Sequence, residues 1–143
     1  MRTGTLSIVL GLAVLGGEPL HAEEKHKADE ACSLATLKGS YTYHIQGYRD
    51  GKAYASGGFF SFDGKGQVLN LYTNSVEREQ RLATGTYRVD ETCAGSMTLD
   101  ETTVNQLYVS PAGEGFVFVR VSGDGVIGTE SRRVTRELLV AEQ

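Results

Sequence analysis

The chain is predicted to be all-β, an eight-stranded antiparallel up-and-down barrel with a short N-terminal helix. Three observations carry that prediction. From Gly39 onward apolar and polar residues alternate with period two, and turn-forming residues recur every eight to twelve positions. Residues 57–68 read as a strand, a glycine-bearing turn and the start of a second strand: Phe60 and Phe62 share one face, and Asp63-Gly64 and Lys65-Gly66 supply the positive-φ positions that a reversal needs. Eight such strands would leave two exposed edges in an open sheet, and closure removes both. A barrel of that size holds either packed side chains or one small ligand.

The 143 residues, with formal charge −4 and 40% hydrophobic content, suit one domain with a real core. Residues 1–22 read as a secretory signal: Arg2 supplies the positive start, residues 6–15 an apolar core too short to span a bilayer comfortably, and Ala22 the expected cleavage point. The mature protein is therefore expected in the periplasm or outside the cell, with no membrane span. In an exported chain two cysteines most simply pair, so Cys32 and Cys93 are expected to form a disulfide. Removing Arg2 and Glu18 from the 14 basic and 18 acidic residues leaves 13 and 17, with the bases scattered, which argues against nucleic acid as a partner.

In chain order, residues 23–31 are charged and lack an apolar period, as in a flexible tether. Residues 31–39 suggest the short helix, with Asp29 as cap, Leu34 and Leu37 on one side and Gly39 as stop, a piece fit to plug one end of a barrel. The barrel domain is placed at 32–135 and a C-terminal tail at 136–143. The first strand, 41–48, puts Tyr41, Tyr43 and Ile45 on one face and Thr42, His44 and Gln46 on the other. The second covers 53–62, and the third, 67–73, has apolar groups on both faces. Residues 74–80 alternate in charge and read as a solvated loop. Strands follow at 82–89, 96–99, 104–110, 116–121 and 126–133. The nearly continuous apolar run of 116–121 is expected to be the best buried.

Several residues carry a resemblance. Cys-Ser-Leu-Ala-x-Leu-Lys-Gly-x-Tyr at 32–41, Phe-x-Phe-Asp-Gly-x-Gly at 60–66, and Gly-Thr-Tyr-x-Val at 85–89 followed by Cys93 resemble small exported bacterial proteins of the allene oxide cyclase barrel-like family, within the calycin-type barrels. The likeness covers residues 32–133 and implies the barrel; it carries over no catalytic residue. The lack of tryptophan sets lipocalins and avidins aside.

No constellation names a reaction. Gly123-Asp124-Gly125-Val126-Ile127-Gly128 spells a dinucleotide fingerprint, but here the glycines join two strands and read as a turn. His44 reads as an exposed polar residue, and a hydrolytic triad lacks its motif. If Phe116 and Phe118 face inward, Arg120 joins them and needs an acid such as Glu130, or an anionic ligand group. If Val117, Val119 and Val121 face inward instead, Arg120 meets solvent. Tyr43, Phe60, Asn70, Tyr72 and Tyr87 are the candidate lining of a ligand site, since aromatics with a polar tip suit a mixed apolar and hydrogen-bonding cavity. No metal or cofactor is expected. The leading expectation is a binding module for a small, largely apolar ligand. The alternatives are a cyclase or isomerase working in the barrel, and an envelope protein-binding or inhibitor module whose partner is another protein.

Overall fold

The computed structural model describes residues 31–140. The expected signal segment and all of the expected tether except Ala31 lie outside those residues. Alternation of side chains produces nine strands: β1 (Gly39–Arg49), β2 (Lys52–Phe62), β3 (Gln67–Asn74), β4 (Gln80–Val89), β5 (Ala94–Leu99), β6 (Thr103–Val109), β7 (Gly115–Arg120), β8 (Gly125–Val126) and β9 (Gly128–Thr135). Eight close a barrel in the order β2-β3-β4-β5-β6-β7-β9-β1, with β1 returning to β2, and every pairing is antiparallel. The expected last strand is split. Val126 pairs with Tyr48 of β1, whereas the carbonyl of the buried Ile127 accepts the Arg120 N–H of β7 at 2.9 Å, so the chain changes partners at that point.

The inward set follows period two on each strand, as a half-buried sheet requires. Tyr41, Tyr43 and Ile45 of β1 are buried, and Thr42, His44 and Gln46 are exposed. One end of the barrel is filled by rings in edge-to-face contact. Phe62 meets Tyr41 at 5.6 Å, Phe116 at 5.4 Å and Tyr87 at 4.8 Å between centroids, with planes 83–89° apart. Such contacts contribute about 0.5–1.5 kcal/mol each beyond the area they bury.

That end is closed by a 3-10 turn, Leu34–Leu37, and not by the expected α-helix. The reason is chain length. Cys32 is tied to Cys93 with 5.0 Å between Cα atoms, and Gly39 already begins β1, so only one short turn fits between the two anchors. A 3-10 turn eclipses positions three apart, so it points Leu34 and Leu37 the same way, as the helix would have done. The expected cap, Asp29, lies outside the described residues. Two phenols serve this end: Tyr87 donates to the Leu34 carbonyl of the plug at 2.8 Å, and Tyr41 to the Gly113 carbonyl of the β6–β7 turn at 2.7 Å. Gly113 has φ 66°, and a Cβ there would sit 2.1 Å from the Thr36 carbonyl oxygen, so only glycine lets the β6–β7 turn approach the plug.

The C-terminal tail is partly ordered against the barrel. Beyond β9, Ser40 donates to the Glu137 carbonyl and accepts from the Leu139 N–H, both at 2.8 Å. Ser61 accepts from the Val140 N–H at 3.2 Å, which leaves its own proton for Ser40, 2.8 Å away. Both serines are buried, as is Val140.

The run at 116–121 is not buried on both faces. Phe116 and Phe118 are 2% exposed, but Val117 and Val119 are each 44% exposed and Val121 more so. A closed barrel has one interior, and among the described residues no further layer covers its outer face as helices cover a parallel sheet.

Candidate functional site

The two ends of the barrel differ. Away from the plug, the ends of β1, β3, β5 and β7 and the starts of β2, β4 and β6 enclose a cavity of about 300 Å³. That volume stands at the lower limit of the ~300–1,000 Å³ typical of small-molecule sites. Tyr43 and Phe60 stack at 4.4 Å between centroids, 24° from parallel, and Phe118 meets Phe60 edge-on at 5.6 Å. Ile45, Ala83 and Leu99 complete the apolar part. Above it the wall turns polar, with Tyr54, Ser56, Asn70, Tyr72, Asn105 and Arg120.

Tyr43 donates its phenol proton to Asn70 Oδ1 at 3.0 Å. Burial pushes that phenol up to about 12, so at neutral pH it is a donor with no tendency to act as a base. Tyr72 is also raised, first by burial and next by the Glu77 carboxylate.

Arg120 points inward with Phe116 and Phe118, the first of the two arrangements that the sequence allows. Its register partner on β6 is Asn105, so guanidinium and amide project side by side from neighbouring strands. Arg120 Nε is buried without a hydrogen-bond partner among the described residues. Leaving a buried donor unpaired costs about 1–3 kcal/mol. Burial pulls the guanidinium below its ordinary value, and the positive charge of Arg49 adds to that. Glu130, the acid suggested by sequence, does not reach it. Glu130 is exposed on the outer face, in register with Val117.

Two other arginines line the cavity, and each has company. Arg81 Nη1 is hydrogen-bonded to Glu77 Oε1, while Glu77 Oε2 accepts the Asn74 amide at 2.7 Å. Arg49 lies over the Tyr54 ring at 5.7 Å, with Asp50 3.9 Å from its Nε. Asp100, at the rim, accepts the Thr84 N–H at 3.3 Å. Of the three arginines in the lining, Arg120 alone has no carboxylate partner among the described residues.

Four residues proposed from sequence, Tyr43, Phe60, Asn70 and Tyr72, come together in this lining. Tyr87 does not. It belongs to the plugged end, where its hydroxyl serves the Leu34 carbonyl. Tyr87 lies near the end of an even-numbered strand, which puts it on the same side as the start of β1; counting strand direction would have separated it from Tyr43. Asn105, Tyr54 and Ser56 escaped the sequence reading. Asn105 alternates with the buried Leu107 and Val109, a period-two signal that marks it as inward. His44 is exposed on the outer face. The glycines at 123 and 125 bound a loop between β7 and β8, so the fingerprint spelling has no helix behind it.

Comparison with known proteins adds no constraint: the chain matches no family model, no curated protein and no solved structure.

Proposed function

We propose that this protein is a small-molecule binding module, an exported β-barrel of the calycin type related to the allene oxide cyclase barrel-like proteins, which holds a small and largely apolar ligand in the open half of its barrel. The observation that carries the reading is the unequal filling of the interior. Tyr41, Phe62, Tyr87 and Phe116 pack one half solid, while Tyr43, Phe60 and Phe118 line about 300 Å³ of space in the other. The disulfide fits an oxidising compartment, which supports the periplasmic or secreted placement. The Tyr43 phenol, pushed up to about 12 and already donating to Asn70, supports a binding role better than proton abstraction.

A neutral fluorescent probe, N-phenyl-1-naphthylamine, tests the proposal. It should bind saturably at one site, and Ala83→Leu, which fills the cavity from β4, should weaken binding at least tenfold without lowering the melting temperature. Saturable binding that ignores Ala83→Leu, or no binding at all, would overturn the proposal.

One observation favours a second reading, a protein-binding module. Tyr108 and Val117 are register partners on the outer face, and with Val119 they form an exposed apolar strip. Capture of a partner from envelope extract, abolished by Val119→Lys, would support that reading; capture unaffected by the change would remove the strip from it.

A further inference from the structure

The geometry points to a more specific ligand class: a compact molecule that carries a carboxylate on an aromatic or other ring-sized body, its carboxylate held by Arg120 and Asn105 and its ring laid against Phe118 and Phe60. The inference rests on the small-molecule reading above and deepens it.

Four observations converge. Arg120 and Asn105 are opposite each other across β6 and β7, so their side chains form one polar shelf. Both line the cavity, and Asn105 is 2% exposed, which fixes its amide inside the barrel. Arg120 has a buried Nε–H without a partner among the described residues, and the acids at the rim are engaged elsewhere or face solvent: Glu77 with Arg81, Asp50 beside Arg49, Asp100 with the Thr84 N–H, and Asp124 exposed in the β7–β8 loop. Directly below Arg120 on the same face of β7 is Phe118, which meets Phe60 edge-on.

A guanidinium offers N–H groups in a planar fork that matches the two oxygens of a carboxylate, and a half-buried site strengthens the pair. The Asn105 amide supplies a further donor beside that fork. The same carboxylate supplies the countercharge that no acid among the described residues gives Arg120. A neutral ligand of the same shape forfeits that charge-assisted pair. Cavity volume selects the body: about 300 Å³ accepts one or two fused rings and is small for an extended acyl chain.

Isothermal titration of the full disulfide-bonded chain with 2-naphthoate and with 2-naphthamide, an uncharged analogue of the same ring system, tests this. The acid is expected to bind at least tenfold more tightly. Arg120→Gln should bring the acid to the level of the amide and leave the amide unchanged. Arg88→Gln, which removes the same charge from the exposed outer face of β4, should leave the preference intact. Equal affinity of the unaltered protein for acid and amide would overturn the carboxylate assignment while N-phenyl-1-naphthylamine binding still upheld the binding module. An acid preference lost equally in Arg88→Gln would also overturn it, because diffuse charge would then be responsible. If neither naphthyl compound nor the neutral probe binds, the carboxylate assignment and the binding module fall together. The comparison of acid with amide uses the unaltered protein, so it decides the matter even if Arg120→Gln fails to fold.

Discussion

Tyr43 and Asn70 are joined by a hydrogen bond that reaches over an entire strand: β1 and β3 are not neighbours, and the phenol passes above β2 to donate to Asn70 Oδ1 at 3.0 Å. The bond lies in the cavity wall and fixes which way the Asn70 amide faces. Beneath it lies Gly58, in register with Tyr43 on one side and Tyr72 on the other. A Cβ at Gly58 would lie 2.0 Å from the Leu71 carbonyl oxygen, so β2 and β3 approach there more closely than a side chain allows.

Removal of the Tyr43 hydroxyl should leave a buried acceptor without its donor. Tyr43→Phe is expected to cost about 1–2 kcal/mol, and Asn70→Ala made on that background should cost less than it does alone. Urea unfolding of the two single variants and the double variant checks this; strictly additive costs would show that the bond contributes nothing.

Arg120 should oppose stability in the ligand-free protein. Replacement by methionine removes the unpaired buried donor and keeps the length of the stem, so Arg120→Met is expected to stabilise by on the order of 1 kcal/mol, a few degrees in melting temperature. Calorimetry reads the shift. A fall of the same size would mean that the guanidinium is satisfied within the protein.

The Cys32–Cys93 bridge closes a loop with a sequence separation of 61 residues and anchors the plug beneath which Tyr41 and Phe62 pack. Cys32→Ala combined with Cys93→Ala is expected to cost about 4 kcal/mol on the chain-entropy view. Denaturant midpoints with and without reductant measure it. Unchanged midpoints would show that the aromatic cluster holds the plug alone.

Alkaline pH should unfold the barrel. Burial pushes Tyr43 and Tyr87 up to about 12, whereas in the unfolded chain each returns to its ordinary value near 10. Between those values the folded state holds protons that the unfolded state has lost, so stability is intact below about pH 10 and falls as pH rises toward about 12. Tyrosinate absorbance and circular dichroism followed together should show the buried tyrosines ionising with the loss of structure. Ionisation of every tyrosine with the fold intact would contradict the assigned burial.

Alternation and turn chemistry are local properties, and they sufficed to mark eight strands, the hairpin at 57–68 and the inward faces of β1 and β2. An expectation of export and a cysteine count of two sufficed to anticipate the bridge that the structure contains. Length alone could not distinguish an α-helix from a 3-10 turn at Leu34–Leu37, because both bring Leu34 and Leu37 together; the distance between the disulfide and the first strand decided it. The orientation of β7 was open for a similar reason. Phenylalanines on one face and valines on the other are equally apolar, and a slip of one residue exchanges them. Only closure of the barrel, through pairing of β7 with both β6 and β9, commits the phenylalanines to the interior and takes Arg120 in with them. Separation of Tyr87 from Tyr43 needed only strand direction, since Tyr87 lies late in β4 and so beside the start of β1. Periodicity tells a side chain which face to take, but the plug and the strand directions assign that face to a filled end or to an open one.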